Sequence, residues 1–497
     1  MREAAPPGQQ LLDDGVLGEL RSLTQVLIAA RPDASEEYAR FLALSQRGIA
    51  MPEAELAAWL DGATVLVTGG TGCIGSTLMA QVARFGPRRL ASVSRGQTTG
   101  WPRLDDAEYF TADIRDERGL AGVFAEVRPD VVFHVAAQRD PGLAEREVHR
   151  TVTTNVLGTR QVIAAAEEAG AQLVFASTGK ALRPFSREVY TASKRAAEWL
   201  VAEAARRGHV TCSAARFTHV VDNSIIHQRL LGWCEAGVVR LHGADILFYA
   251  QSALESAQLL LLAGLSAVPE ELRAHAITDL GWPVSLLDLA LGVLAKTGSE
   301  TPVYFSGYDP GYESKPFPGL YDPRTAGEVS PLLSAFEAPG AHQVPGRPTD
   351  AFPVQFEFGP QPDAPLRPLQ DACVTGEPAA VREALDTLSW CVLGAMLRVT
   401  PRETLTRVAG LTAPFESGLS PAYRRSLAAV RWQAGARCVR DEFRRSRGLR
   451  SDTPGDGAAA VTGRLLARGR GADDRQRAEV CHQHLADPRA RGRDPCP

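Results

Sequence analysis

The stretch "VLVTGGTGCIGSTLMAQVARFG", from Val65 to Gly86, joins a short apolar run to a glycine-rich turn and then to a segment of helical periodicity. Gly69, Gly72 and Gly75 stand at G-x-x-G-x-x-G spacing directly after the apolar run. Glycines at such positions permit a tight turn and a close approach of the backbone to a pyrophosphate, which sits at the positive N-terminus of the helix. A glycine triplet alone can be a plain tight turn, but strand, loop and helix in this order predict a dinucleotide-binding unit.

Short apolar runs alternate with helical segments beyond this stretch. They read "RLASVSRG", "EYFTADIRD", "DVVFHVAA", "QLVFAST" and "TCSAARFTHVV". Such alternation is typical of βαβ units and of a parallel sheet covered by helices on both faces. We therefore expect an α/β fold, a Rossmann-type doubly wound parallel sheet with a small substrate lobe and helical extensions at both ends.

The length of 497 residues exceeds the roughly 250–300 at which a single core stops growing, so several units are expected. Eight prolines between residues 339 and 368 argue against a continuous helix or a central strand there. The predicted division is a helical N-terminal extension (1–60), an NAD(P)-binding domain with its substrate lobe (61–338), a Pro-rich linker (339–370), a helical unit (371–450) and a disordered tail (451–497).

Composition excludes several classes of function. A net charge of −4 offers no general attraction to nucleic acid or to anionic lipid. The apolar run "LLLLAGL" at 259–265 is far shorter than the ~20 residues of a membrane helix, and the N-terminus lacks the features of a signal peptide. The cysteines include no C-x-x-C pair, which favours reduced thiols. We expect a cytoplasmic protein without nucleic-acid or membrane partners.

A metal site is not expected. The only suggestive pattern, "CHQH" at 481–484, has no second pair of ligands near it in a Gly/Arg-rich segment.

The end of the second apolar run indicates the cofactor. An acidic residue there would bind the ribose 2′-hydroxyl of NAD, whereas this chain has Ser94 and Arg95, which suit the 2′-phosphate of NADP. NADP is favoured and NAD stays possible, since an arginine at a strand end can also be merely solvated. Asp113 is placed to contact the adenine or to be a solvated turn residue. The other residues expected at the cofactor are Thr71, Cys73, Ile74, Ile114, Ala136, Ala137, Asn155 and Lys194.

A candidate catalytic pair lies in "YTASK", where Tyr190 and Lys194 share one helix face. A tyrosine that acts as a base near pH 7 needs its pKa lowered by about three units, or roughly 4 kcal/mol. A cation about 4 Å away supplies an interaction of that order at an effective dielectric of 20. Ser177 and Thr178, at the end of "LVFAST", can hydrogen-bond the reacting hydroxyl.

With these motifs in this order, about residues 60–335 resemble the extended short-chain dehydrogenases. "FHVAAQRDPGLAE", "TNVLGTRQV", "STGKALRP" and "YTASKRAAE" are similar to the polysaccharide-biosynthesis (CapD-like) branch, which includes nucleotide-sugar 4,6-dehydratases and epimerases. The resemblance implies that Tyr190 removes the proton of a sugar 4-hydroxyl while hydride passes to the nicotinamide. It also implies that Lys194 lowers the tyrosine pKa and holds the ribose, and that Asn155 supports an active-site water and the helix geometry.

The chain departs from that branch at several positions. Its dehydratases carry an Asp-Lys pair after the Ser-Thr, one group taking the C5 proton and the other assisting loss of the 6-hydroxyl, whereas here Gly179 and Lys180 follow. Lys180 is a candidate base, or a residue that only positions the substrate. Where the family uses arginines to hold the substrate diphosphate, this chain has Leu247 and Asp309, and Arg216 and Lys315 are candidate replacements.

The predicted function is that of an NADP-dependent oxidoreductase acting on a sugar or nucleotide sugar, in making a polysaccharide or glycosylated metabolite, as a homo-oligomer. Dehydration, epimerisation and simple oxidation–reduction stay open. Two alternatives remain: a catalytically silent NAD(P)-binding protein with a role in assembly, and a dehydrogenase or reductase of a non-nucleotide substrate.

Overall fold

The strands form one large sheet and three two-stranded pairs within the residues that the computed structural model describes, which are 1–9, 11–97, 100–312, 332–344 and 346–446. In chain order they are β1 (Thr64–Thr68), β2 (Arg89–Ser94), β3 (Glu108–Thr111), β4 (Val131–His134), β5 (Gln172–Thr178), β6 (Cys212–Phe217), β7 (His219–Val220), β8 (Val239–Leu241), β9 (Leu247–Phe248), β10 (Ala250–Gln251), β11 (Arg273–Ile277), β12 (Val284–Ser285), β13 (Val303–Phe305), β14 (His342–Gln343) and β15 (Thr349–Pro353).

The large sheet has the order β14-β15-β11-β6-β5-β4-β1-β2-β3. The strands from β11 to β3 in that order are parallel to one another, and their carboxyl ends therefore lie at one edge of the sheet. All five residues of β1 are buried, which explains why its sequence is a continuous apolar run and not an alternating one. The predicted fold class is confirmed.

The described residues form sixteen α-helices, several of which cover the two faces of this sheet. They are α1 (Asp14–Ala29), α2 (Ala34–Ala43), α3 (Glu53–Leu60), α4 (Cys73–Ala83), α5 (Glu117–Val127), α6 (Pro141–Arg146), α7 (Val148–Val152), α8 (Thr159–Ala169), α9 (Val189–Arg207), α10 (Ile225–Ala236), α11 (Ala253–Leu265), α12 (Leu286–Thr297), α13 (Arg367–Thr375), α14 (Pro378–Val399), α15 (Arg402–Thr412) and α16 (Pro421–Ser446). Helices α3, α4 and α11 pack together on one face, and α5, α8 and α9 pack together on the other.

A second lobe stands beside the sheet, with its own hydrophobic core. It contains the pairs β7–β10, β8–β13 and β9–β12 together with α10 and α12. Tyr38 and Phe41 of the predicted N-terminal extension are buried in this core. A Cβ atom on Gly292 of α12 would overlap with the carbonyl oxygen of Ala34, so α2 lies directly against α12. Helices α1 and α2 are thus an integral part of the lobe, whereas α3 belongs to the main sheet.

The prediction of a linker over 339–370 is wrong for its first half. Strand β15 pairs antiparallel with β11, and β14 pairs antiparallel with β15, so this segment extends the main sheet. Pro348 precedes β15 and Pro353 is its last residue. Prolines at the ends of a short strand leave the intervening backbone N–H groups free to bond, and for this reason proline density did not exclude a strand.

The predicted C-terminal helical unit is present as α13 to α16. Helix α14 packs along α9, and nearby the Phe185 and Trp390 rings lie 4.4 Å apart between centroids. The predicted tail over 451–497, including the "CHQH" pattern, lies outside the described residues. Within the described ranges, no helix is both long enough and apolar enough to cross a bilayer.

Candidate active site

The glycine loop lies between β1 and α4, as the sequence predicts. Gly69 has φ +76°, a left-handed conformation that favours glycine, and a Cβ there would meet the Ala136 backbone at 3.0 Å. A Cβ on Gly75 would overlap with the carbonyl oxygen of Gly69, so the helix starts directly beneath the loop. Gly72 is the N-cap of α4, whose first-turn N–H groups face the loop. These are the features that a bound pyrophosphate requires.

The residues predicted for the cofactor, with one exception discussed below, line one cavity at the carboxyl edge of the sheet. They are Gly69, Thr71, Gly72, Cys73, Ile74, Gly75, Ser94, Arg95, Asp113, Ile114, Ala136, Ala137 and Lys194. Arg95 Nη2 donates to Gln97 Oε1 at 3.1 Å. Asp113 forms an ion pair of 2.6 Å with Arg115, whose hydrogen bond is the main reason that the Asp113 pKa lies below its usual range.

Asn155 is the exception, and its assignment to the cofactor site needs correction. It is buried behind the cavity wall, in a π-helical turn over residues 153–158. Its side chain accepts a hydrogen bond from the Gln138 backbone N–H at 2.8 Å, and donates to the Gln138 carbonyl and to Ser193 Oγ. Asn155 therefore ties the loop after β4 to α9, which is a positioning role.

Tyr190, Lys194 and Thr178 line the same cavity, next to the glycine loop. Thr178 ends β5 and Tyr190 lies in the first turn of α9, and the Thr178 hydroxyl lies near enough to the phenol to lower its pKa. The Lys194 Nζ donates to the carbonyl oxygen of Ala176 at 2.7 Å and lies 4.2 Å from the centroid of the Phe175 ring. The predicted convergence of the strand end and the Tyr-x-x-x-Lys helix is present.

The electrostatics of Tyr190 differ from the prediction. Burial raises the pKa of Tyr190, while the hydrogen bond from Thr178 and the positive charge of Arg139 lower it. Burial also lowers the pKa of Lys194, to about 7, against the opposing charge of Glu198. Arg139 is the cation whose charge lowers the pKa of Tyr190 in this structure.

Ser177 borders the cavity, but its hydroxyl donates to Glu198 Oε1 at 2.6 Å. Only its oxygen lone pairs remain available to a substrate hydroxyl, so the predicted role is narrowed to that of an acceptor. Glu198 is fully buried and also binds Arg216 and Arg195. These guanidinium groups, together with the Ser177 hydrogen bond, lower the pKa of Glu198 to about 2 against the effect of burial.

Lys180 lines the cavity and follows Gly179 at the end of β5. Its Nζ forms an ion pair of 3.2 Å with Glu188 Oε2 and lies 5.4 Å from the centroid of the Tyr312 ring. Glu188 is buried and also binds Arg183 and Thr191. A carboxylate partner stabilises the charged ammonium, which favours positioning of the substrate over proton abstraction by Lys180.

Arg216 cannot replace the substrate arginines. It is fully buried (0% exposed), and its guanidinium lies between Glu198 and Glu337, each at 2.8 Å. Lys315 lies outside the described residues. Leu247, at one of the altered positions, is 60% exposed beside the cavity, and the Asp309 carboxylate lies 3.3 Å from His242 Nε2.

Several arginines besides Arg95 line the cavity, and three of them bear on the substrate: Arg139, Arg229 and Arg240. Arg139 Nη1 donates to the Asn223 carbonyl at 3.1 Å. Arg229 donates to the Tyr312 hydroxyl at 3.1 Å and lies 3.4 Å from the Asp140 carboxylate. The Arg240 guanidinium lies 5.5 Å from the centroid of the Tyr304 ring. In a chain with so many arginines, nothing in the sequence distinguishes these from surface residues.

The cavity has a volume of about 1760 Å³ and runs from the glycine loop past Tyr190 into the second lobe. A pocket for one drug-sized ligand is typically about 300–1,000 Å³, so this space can take a dinucleotide and a second ligand side by side. In the described part of the chain, no cluster of side chains has the composition of a metal site.

Strand order, glycine loop and the Tyr-x-x-x-Lys helix beside the end of β5 define the class of extended short-chain dehydrogenases. The chain belongs to the family of polysaccharide biosynthesis proteins, which matches residues 65–313. This confirms the resemblance found in the sequence. A solved structure of Pen from Bacillus thuringiensis has a similar fold, with a TM-score of 0.50 and 21% identity over 61% of this chain and 90% of that chain.

The curated relatives include a probable polysaccharide biosynthesis protein, EpsC, of Bacillus subtilis (strain 168), 27% identical over 54% of this chain and 47% of the relative. The capsular polysaccharide biosynthesis protein CapD of Staphylococcus aureus is 28% identical over 51% of this chain and 44% of its own length. A UDP-N-acetylglucosamine 4,6-dehydratase (inverting) of Campylobacter jejuni is 30% identical over 33% of this chain and 51% of its own. The chain thus spans about half the length of the curated relatives that it matches.

Proposed function

We propose that the protein is an NADP-dependent oxidoreductase that oxidises the 4-hydroxyl of a nucleotide sugar, in the synthesis of a polysaccharide or a glycosylated metabolite. The observation that carries the proposal is the convergence of Tyr190, Thr178 and Lys194 with the glycine loop in one cavity. The names of the relatives support the same reaction class.

The residues present fit a dinucleotide. Side chains at 69 and 75 would fill the space that the backbone leaves at the N-terminus of α4, and this favours a pyrophosphate there. Ser94 and Arg95 would face the adenosine ribose, where Arg95 suits a 2′-phosphate. When bound, the nicotinamide ring supplies the acceptor for a hydride from carbon 4 of the sugar.

The side chains divide the remaining work. The Tyr190 phenolate accepts the proton of the 4-hydroxyl, and the Thr178 hydroxyl donates a hydrogen bond that stabilises the phenolate. Arg139 stabilises the same negative charge over a longer distance. Lys194, held by the Ala176 carbonyl, is placed to bind the cofactor ribose and to exchange a proton near neutral pH.

The arginines that line the cavity toward the second lobe, Arg139, Arg229 and Arg240, favour an anionic substrate. Arg139 and Arg240 have no carboxylate partner among the described residues, and Arg229 shares only the long contact with Asp140. A diphosphate bound between them would replace the function of the arginines missing at 247 and 309. The cytoplasmic location and the homo-oligomeric state remain predictions from the sequence.

Oxidation at carbon 4 followed by return of the hydride to the opposite face of the 4-keto sugar gives epimerisation. This needs only Tyr190, the cofactor and a keto sugar that can rotate in the cavity. Dehydration also needs an acid for the departing 6-hydroxyl, and Gly179 stands where the dehydratases of the resembling branch have an aspartate. We therefore propose epimerisation or simple redox chemistry ahead of dehydration.

The proposal is tested by incubating the purified protein with NADP⁺ and a panel of nucleotide sugars in deuterated water, and by analysing the sugars by mass spectrometry and chromatography. A 4-epimer or a 4-keto sugar of unchanged carbon skeleton is the expected product. Loss of one water would show dehydration instead. No change in any sugar, with NADP⁺ bound, would contradict the proposal and favour the silent-binding alternative.

A further inference from the structure

Apolar side chains border the cavity immediately beside the proposed point of reaction. Leu182, Phe217 and Leu332 are each buried and each line the cavity, together with Gly179, which follows Thr178 in the chain. These four residues are called the apolar wall below. Because Gly179 is the next residue after Thr178, the wall lies within a sugar ring's width of the hydroxyl that Tyr190 and Thr178 would bind.

Leu332 occupies the space where a side chain at position 179 would stand. A Cβ on Gly179 would overlap with Leu332 Cδ2, and it would meet the Phe217 carbonyl at 3.4 Å. Any larger side chain at 179 would therefore require Leu332 to move. The glycine and the leucine are complementary, and together they present hydrocarbon to the cavity at this point.

The wall is held rigidly. Arg216 Nη1 donates to the Leu332 carbonyl at 3.4 Å, and the same guanidinium binds both Glu337 oxygens at 2.8 Å. The Ser334 N–H donates to Glu337 at 3.1 Å, which closes the turn that follows Leu332. Since Arg216 is fully buried, displacing this segment would break its bonds to Glu337 and leave Glu198 alone to balance its charge, so the backbone that carries Leu332 is held in place.

Polar partners for a substrate hydroxyl are scarce here. Among the described residues that line the cavity, the carboxylates are Asp113, Asp140 and Asp245, and none belongs to the wall. The neighbouring Lys180 ammonium is already bound by Glu188. A hydroxyl placed against these hydrocarbon side chains would lose its bonds to water and find no side-chain partner among the four residues of the wall.

We propose that the apolar wall selects a nucleotide sugar that carries hydrogen or a methyl group, instead of hydroxymethyl, on carbon 5. The inference rests on the proposed function, in which Tyr190 and Thr178 bind the 4-hydroxyl, so that the substituent on the adjoining carbon 5 reaches Gly179 and the rest of the wall. Burying an unpaired hydroxyl in an apolar site typically costs about 10- to 100-fold in kcat/KM. A pentose or 6-deoxyhexose also has no 6-hydroxyl to lose, so the site would oxidise carbon 4 and return the hydride without dehydration.

The test is a series of sugars that differ only in the carbon 5 substituent: xylose (hydrogen), 6-deoxyglucose (methyl), glucose (hydroxymethyl) and glucuronic acid (carboxylate), each as its UDP and dTDP derivative. We expect kcat/KM for the 4-epimer or 4-keto product to be at least 10-fold higher for the first two than for glucose. Equal values, or the highest value for glucose, would overturn the inference and leave the proposed function intact. A preference for the uronate would overturn it too, and would assign selectivity to Lys180. No turnover of any sugar would contradict both.

Leu332→Asn supplies an amide at the wall, and it should bring the ratio of kcat/KM for the 6-deoxy sugar to kcat/KM for glucose closer to one. Leu332→Ala should lower this ratio by a smaller factor. Leu333→Ala is the matched control, because Leu333 is its buried neighbour in the chain but does not line the cavity. The ratio is measured within one preparation, so a partly unfolded fraction cancels. A wild-type ratio that persists in both Leu332 variants would remove this role from Leu332.

Discussion

Tyr190 owes its proposed reactivity to two side chains, Thr178 and Arg139, which lie outside the Tyr-x-x-x-Lys motif. Burial raises the pKa of Tyr190 and so disfavours the phenolate. The Thr178 hydroxyl and the positive charge of Arg139 lower this pKa. Thr178 comes from the end of β5, Tyr190 from α9, and Arg139 from the loop after β4. The pKa of the tyrosine therefore depends on how the carboxyl ends of two neighbouring strands meet the start of one helix.

Arg139→Gln should move the acidic limb of the pH–kcat profile to higher pH. Removing the positive charge raises the pKa of Tyr190, so a higher pH is needed for the same fraction of phenolate. Steady-state rates measured across pH 5.5 to 9.5 test this. Arg146→Gln, an exposed site in α6 outside the cavity lining, is the control and should leave the limb in place. An acidic limb at the same pH in Arg139→Gln and in the wild type would show that the charge of Arg139 does not affect the pKa of Tyr190.

Arg95→Asp should exchange the cofactor preference. In the wild type we expect NADP⁺ to bind at least 10-fold more tightly than NAD⁺, because the guanidinium can pair with the 2′-phosphate and a carboxylate would repel it. Calorimetric titration of both cofactors measures the two affinities. Equal affinities in the wild type, unchanged by the substitution, would contradict the choice of NADP.

Lys194 should make stability depend on pH. Its pKa in the folded protein, about 7, lies below its ordinary 10.5, so between these values the unfolded chain binds more protons than the native one. The contribution of Lys194 to the free energy of unfolding therefore rises with pH through this window. Denaturant unfolding at pH 7 and pH 9 gives the free energy of unfolding of the wild type and of Lys194→Met. The difference between them should shift in favour of the wild type from pH 7 to pH 9. A constant difference would contradict the lowered pKa.

The sequence identifies the residues of the site whose type and spacing are unusual, and it misses those that are common. Lys194 is unusual because the 54 basic residues include only four lysines, which leaves 50 arginines, and Tyr190 is identified by its spacing of four from this lysine. For the same reason Arg139, Arg229 and Arg240 carry no signal. In the sequence Arg216 is a candidate by residue type alone, and its burial between Glu198 and Glu337 shows that it is structural.

The elements were predictable where a local pattern decides them. The short apolar runs of the sequence are the strands of the parallel sheet in the structure. The segments with helical periodicity are α1, α14 and α15. The Pro-rich segment was misjudged because the pairing of β15 with β11 joins residues far apart in the chain, and local composition cannot show such a partner. Local sequence also could not predict the packing of α2 on α12, because these two helices are far apart in the chain.

Gly292→Ala tests that contact between helices. The new Cβ would overlap with the Ala34 carbonyl, so α2 must shift, and we expect a loss of about 1–3 kcal/mol in the free energy of unfolding. Gly232→Ala is the matched control, because Gly232 lies in α10 with open space around its Cβ position; there alanine should stabilise by about 0.4–1 kcal/mol. Equal changes in the free energy of unfolding for the two substitutions, measured by chemical denaturation, would contradict the close packing of α2 on α12.

Taken whole, the molecule uses both of its helical ends to support the cavity. Helices α1 and α2 complete the core of the second lobe, which supplies Arg229 and Arg240, and α14 packs on α9, the helix of Tyr190 and Lys194. The segment carrying Leu332 and Glu337 returns to the end of β5. Parts of the chain that looked peripheral in the sequence thus surround the dinucleotide-binding core and shape its site.

Transfer of a hydride from carbon 4 tests the central claim most directly. The protein is incubated with NADP⁺ and nucleotide sugars deuterated at carbon 4, the reaction is quenched within one turnover, and the cofactor is analysed by mass spectrometry. We predict one deuterium in the reduced cofactor for each sugar oxidised by the wild type, and none with Tyr190→Phe, which should still bind NADP⁺ with nearly unchanged affinity. Absence of deuterium in the wild-type cofactor with every sugar, or transfer at the wild-type rate by Tyr190→Phe, would contradict the account.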